Sequence, residues 1–142
     1  MKILLKILTT FLMLLPIPAQ ASSPIQIISC NFDAGDKRQS DYNMTVGVTF
    51  ENVGSQVVTA VKFDFILLDS FGSTLSTQHG VIAGTFSPGV VIKPRYLIDG
   101  SLWLHNQLVT SPGWYIRNTF GRDFDSLRCE PSQVRFADGT VQ

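Results

Sequence analysis

His79 and His105 are the only histidines in this 142-residue chain, and 25 residues separate them with no H-x-H or H-x-x-x-H spacing. A zinc site needs three or four convergent ligands, so the pair reads as surface histidines. His79 is expected in a polar loop, and His105 on the outward face of a strand with Ser101 and Trp103. A serine hydrolase needs a nucleophile, a base and an orienting acid in mutual contact. No G-x-S-x-G accompanies either histidine, and a turn accounts for Ser87 beside Pro88-Gly89. Glu51 and Glu130 are the only glutamates, and the nine aspartates fall mostly in expected loops. Asp33, Asp36 and Asp41 supply hard oxygen donors of the kind calcium takes, but without an EF-hand pattern, and read as a solvated loop. No catalytic residue, metal ligand or cofactor site emerges.

The two cysteines are more informative. Cys30 and Cys129 stand alone near opposite ends of the chain, 99 positions apart. They form no C-x-x-C pair, and no neighbouring group would lower a thiol pKa. In an oxidising compartment the default for such a pair is a disulfide, here tying the first strand to one of the last. Ile27-Ile28-Ser29-Cys30 formally fits a lipobox, but more than ten residues separate it from the apolar leader.

That leader is Met1 to Ala21: Lys2 and Lys6, the apolar run Ile7 to Leu15, then Pro16 to Ala21 with small residues at 19 and 21. The pattern is that of a signal peptide cut near Ala21. Its apolar run is well short of the roughly 20 residues that span a bilayer, and no later segment approaches that length. The expectation is a soluble protein, secreted or periplasmic, with residues 22–142 forming one domain and no transmembrane segment. The leader carries two of the eleven Lys and Arg, so nine positive charges then face eleven negative. Electrostatic binding to nucleic acid leaves a basic patch or stripe. Arg117, Arg122 and Arg128 do gather late in the chain, but Asp123 and Asp125 sit among them.

The positioning elements are strands. Met44, Val46, Val48 and Phe50 alternate with Thr45, Gly47, Thr49 and Glu51, and Val61, Phe63, Phe65 and Leu67 alternate with Lys62, Asp64 and Ile66. A period of two marks strands with one buried face. Further strands are expected at Ile25 to Phe32, around Thr74 to Gln78, at Tyr96 to His105, at Trp114 to Thr119 and at Ser126 to Ala137. An apolar stretch from Gly80 to Ala83 stands apart from these. Asn52 to Ser55, Ser70 to Ser73, Gly84 to Gly89 and Asp138-Gly139 read as turns. No segment of ten residues carries a helical period. About seven strands, punctuated by Gly and Pro and without βαβ alternation, predict an all-β, immunoglobulin- or fibronectin-like antiparallel β-sandwich.

At Phe65-Ile66-Leu67-Leu68-Asp69 the chain resembles the FxLYD group of secreted immunoglobulin-like domains. The flanks Asn52-Val53-Gly54, Phe71-Gly72 and Ser87-Pro88-Gly89-Val90 are similar too. The end, Cys129 followed by Val134 to Thr140, resembles small uncharacterised bacterial exported proteins. Leu68 departs from the family tyrosine. The resemblance implies a non-catalytic module of cell envelopes or secreted proteins and supplies no catalytic residues.

The functional expectation is therefore an exported protein-binding or structural module whose partner is another exported or envelope protein. A small secreted hydrolase, or an inhibitor or assembly factor, is the alternative. Docking is expected by strand addition at a sheet edge or through residues 105 to 125. Trp103, His105, Trp114, Tyr115 and Arg117 form the candidate partner surface, because aromatic rings supply large contact area at low entropic cost. The competing reading places several of these rings in the core.

Overall fold

The computed structural model describes residues 22–33, 42–94 and 112–142. Within them lie seven strands: β1 (Ile25–Asp33), β2 (Tyr42–Asn52), β3 (Val58–Leu68), β4 (Thr74–Phe86), β5 (Val91–Ile92), β6 (Gly113–Asn118) and β7 (Ser126–Phe136). They form two antiparallel sheets. In the first, β2 is central, with β1 along one side and β5 and β6 end to end along the other. In the second, β3 is central between β4 and β7. The chain crosses between sheets after β2, after β4 and after β6, which gives the Greek-key interlock of an immunoglobulin-like sandwich.

The two alternating stretches are the two central strands. Met44, Val46, Val48 and Phe50 from β2 meet Val61, Phe63, Phe65 and Leu67 from β3, and all eight are completely buried. Phe50 packs on Phe63 and Phe86 with ring centroids 5.3 Å apart in both cases. A central strand in each sheet, apolar on the face toward the other, is the minimum pattern that closes a two-layer core.

The disulfide joins Cys30 on β1 to Cys129 on β7, with Cα atoms 6.0 Å apart. These are edge strands of different sheets, so the bond staples one flank of the sandwich. The expectation that the first strand is tied to one of the last holds.

The two hairpin turns explain residues that do not contribute to the core. Asp69 Oδ1 accepts hydrogen bonds from the backbone N–H of Phe71 at 2.9 Å and of Ser73 at 2.8 Å. Gly72 takes φ 78°, a left-handed backbone that a side chain disfavours. The Phe65–Asp69 stretch thus divides its labour: Phe65 and Leu67 fill the core, and Asp69 caps the β3–β4 hairpin. At the other end of the sandwich, Asp138 Oδ1 accepts from the N–H of Thr140 at 2.9 Å and from its hydroxyl at 2.7 Å. The chain then turns back on β7, with reciprocal backbone bonds between Val134 and Gln142 of 3.0 and 2.9 Å.

Three expectations need correction. The weak strand near Thr74 and the apolar stretch Gly80 to Ala83 are one strand, β4, running without interruption to Phe86. Its length was obscured because Gly80 and Gly84 break the hydrophobic alternation. For the same reason the turn expected from Gly84 begins only after Phe86. His79 lies on β4 rather than in a loop. The two-residue strand β5 carried no periodic signal, and the strand expected at Tyr96 to His105 lies outside the described residues.

Candidate functional site

The flank opposite the disulfide is closed by side chains of β4 and β6. Alternation along β6 turns Trp114, Ile116 and Asn118 inward and leaves Tyr115 and Arg117 exposed. The Trp114 ring lies 5.6 Å from that of Phe63 and 5.1 Å from that of Phe65. Below it is Gly80 of β4, which is buried. A Cβ at that position would come within 2.6 Å of Trp114 Nε1 and 2.7 Å of Phe65 Cε2. Glycine is therefore needed because two aromatic rings approach its backbone, not because of its φ. Gly80→Ala is expected to cost about 1–3 kcal/mol through overpacking, read as a lower urea midpoint with an unchanged slope. A midpoint equal to that of the parent would show that the rings do not press on Gly80.

Two residues before Gly80, Gln78 spans the gap between the sheets. Its Nε2 donates to the Arg117 carbonyl at 2.7 Å, and its Oε1 accepts from the Arg117 N–H at 3.3 Å. One side-chain amide thus serves the free edge of β6 as a short stretch of partner strand would. At the far end of β2, Asn52 does similar work inside the protein. It is fully buried, with Nδ2 donating to the carbonyls of Gln56 at 2.8 Å and Phe86 at 2.9 Å, while Oδ1 accepts from Gly54 N–H at 3.0 Å. Asn52, expected in a turn, continues the inward alternation of Met44, Val46, Val48 and Phe50, which is the signal in the sequence for its burial.

The outward face of the second sheet carries a polar cluster that sequence reasoning missed. His79 Nδ1 lies 2.8 Å from Asp64 Oδ1 on the neighbouring strand. Burial alone would raise the Asp64 pKa. Hydrogen bonds from Ser132 and His79, together with the charges of His79 and Lys62, outweigh that and hold it below the ordinary value. The three residue types are those of a hydrolytic triad, but their contacts differ. Aspartate pairs with histidine while the Ser132 hydroxyl donates to the Lys62 carbonyl at 3.3 Å, so the arrangement lacks the nucleophile-to-base contact that would activate Ser132. The missed signal was the cross-strand register, which sets Asp64 opposite His79 on one side and Glu130 on the other.

Of the expected partner surface, Trp114 belongs to the core margin, and Tyr115, 56% exposed, faces outward with Arg117. Trp103 and His105 lie outside the described residues. Asp36 and Asp41 do as well, and among the described residues no three His, Cys, Asp or Glu side chains gather closely enough to hold a metal ion. Arg122 and Arg128 are exposed, and Arg128 Nε pairs with Glu130 Oε1 at 2.7 Å.

The sheet edges differ from one another in a way that singles out β4. Exposed edges invite pairing with other chains, and proteins block them with charge, proline, bulges or cover. On β1 the pairing with β2 shifts register at Ile28, and the disulfide anchors the strand. On β7 stand Arg128, Glu130, Pro131 and Arg135, with a register shift at Ser132 and the C-terminal tail paired over Val134 to Phe136. On the other side of β2, β5 pairs with only two residues, and the outer edge of β6 is occupied at Arg117 by Gln78. Between Ser76 and Ala83 β4 has none of these devices, its two register shifts lying toward its ends, at Leu75 and at Gly84-Thr85. Its 13 residues include no Lys, Arg, Asp, Glu or Pro, and from Ser76 to Ala83 it pairs with β3 without a register break. Among the described residues no backbone hydrogen bond is made on its outer side.

The chain matches no protein-family model, no curated protein and no solved structure.

Proposed function

We propose that this protein is an exported, non-enzymatic binding module of the FxLYD-like kind, which captures an extended segment of another exported protein along β4. One observation carries the reading. Among the sheet edges of the described residues, β4 is the longest, carries no Lys, Arg, Asp, Glu or Pro, pairs without a register break from Ser76 to Ala83 and has no backbone partner on its outer side. Strand addition draws affinity from the backbone and selectivity from alternate side chains. On β4 the outward set is Thr77, His79, Val81 and Ala83, which favours an uncharged, partly apolar partner strand.

Independent features support the compartment. A disulfide persists in oxidising surroundings, and among the described residues no helix is long and apolar enough to cross a membrane. Together with the signal-peptide pattern of residues 1–21, these support export to the periplasm or the medium. Docking through residues 105 to 125 is the weaker reading, because that range includes strand β6, which pairs with β2. Deleting it would remove part of a sheet rather than a loop.

Thr77→Lys combined with His79→Lys tests the proposal. Both side chains are exposed, so the fold tolerates the change, and lysine on an edge strand opposes pairing. The parent protein, immobilised and exposed to its own cell-envelope extract, is expected to retain a partner that the double variant loses. An identical set of retained proteins would overturn the β4 assignment.

A further inference from the structure

The outward face of the second sheet also carries a depression beside β4. Ala60 of β3 sits at its centre, flanked in the ladder by Ala83 of β4 and Arg135 of β7. Arg135 in turn faces Val141 of the C-terminal tail. One step along the sheet, Lys62 lies between Val81 and Gln133. Alanine ends at Cβ while Lys62, Val81, Arg135 and Val141 around it are longer, so the surface dips over Ala60 into a hollow of about 200 Å³.

Two features distinguish this hollow from ordinary surface relief. Its apolar walls are held in place although they stand open to solvent. Val81 and Val141 are 61% and 62% exposed, and Val141 is fixed because the reciprocal Val134–Gln142 bonds and the Asp138 cap pin the tail. Its rim is also cationic. Arg135 has no carboxylate partner among the described residues, and Lys62 stands beside Asp64 with part of its charge spent there. An apolar hollow with a guanidinium at its edge complements a ligand with an alkyl body and one negative end.

We propose that this hollow binds a short aliphatic carboxylate, its chain over Ala60 between Val81 and Val141 and its carboxylate on Arg135, with Lys62 alongside. The hollow is several times the ~30 Å³ that a water molecule occupies in the liquid, room for a chain of about six carbons. Val81 belongs both to this hollow and to the outward set of β4, so the two sites share one wall.

Amide chemical shifts of the oxidised exported protein, titrated with hexanoate, hexanol or N-acetyl-leucine, test it. Hexanoate is expected to shift Ala60, Val81 and Val141 saturably, and hexanol about tenfold more weakly because it offers no charge-assisted hydrogen bond. Arg135→Gln should remove the preference for hexanoate over hexanol, and Ala60→Leu, which fills the hollow from an outward position, should abolish both while leaving the rest of the spectrum in place. N-acetyl-leucine binding more tightly than hexanoate would identify the end of a peptide as the source of the carboxylate, and weaker binding a free acid. Equal binding of hexanol and hexanoate, persistence of the preference in Arg135→Gln, or no saturable shift overturns the proposal.

Discussion

Phe65→Ala is expected to lower the unfolding free energy by about 3–5 kcal/mol, the range for truncating a buried phenylalanine. The side chain is completely buried, contacts the Trp114 ring and lies above Gly80, so its removal leaves a cavity between the sheets that rigid neighbours cannot fill. Domains of this size carry roughly 5–15 kcal/mol in total, so the variant should stand close to the edge of folding. Urea titration of the oxidised protein gives the measure: the midpoint should fall while the slope, which follows the surface exposed on unfolding, is retained. Phe71→Ala is the internal control. That ring is 93% exposed at the hairpin tip, and its loss should change stability by less than about 0.5 kcal/mol. Equal effects from the two substitutions would contradict the placement of Phe65 in the core.

Replacing both cysteines by alanine is expected to cost about 2–4 kcal/mol, against the roughly 5 that loop-closure entropy alone assigns to a loop of about 100 residues. The cysteines are 99 apart in sequence, so the cross-link removes much of the conformational freedom of the unfolded chain. The oxidised parent should show a mass lower by two hydrogens than its reduced form. Two free thiols in the protein purified without reductant would refute the bridge. The two large effects should not add. Cys129 is the cross-strand partner of Phe65, and substitutions at contacting positions couple. A double cycle is expected to show an interaction energy of at least about 0.5 kcal/mol.

What the sequence revealed and what it concealed follow from the same physics. The strands β2 and β3 were legible because each buries one face against the opposite sheet, which imposes period two on Met44 to Phe50 and on Val61 to Leu67. The edge strand β4 was only half legible. Its inward positions include Gly80, which makes room for Trp114, and Gln78, which bridges to β6, so neither shows the apolar residue that alternation leads one to expect. Trp114 could be assigned to core or surface only once its neighbours across the sandwich were known. The Asp64 and His79 pair was invisible for a related reason: the residues are 15 apart in sequence and meet through register, which no local pattern encodes. The hollow over Ala60 depends on which residues flank a small one on three adjacent strands and on the returning tail, and is equally non-local.

The order of strands in the second sheet also fixes a sequence of events in time. β3, complete by residue 68, has β4 as its neighbour within a few residues, but its other side stays open until residues 126–136 arrive as β7. A half-built chain therefore exposes the apolar face and one free ladder of its most hydrophobic strand, the state in which chains of this kind are most prone to aggregate. Export as an unfolded thread, as proposed above, would postpone that risk until β7 is present, and Cys129 on β7 can then lock the late-arriving strand onto the first.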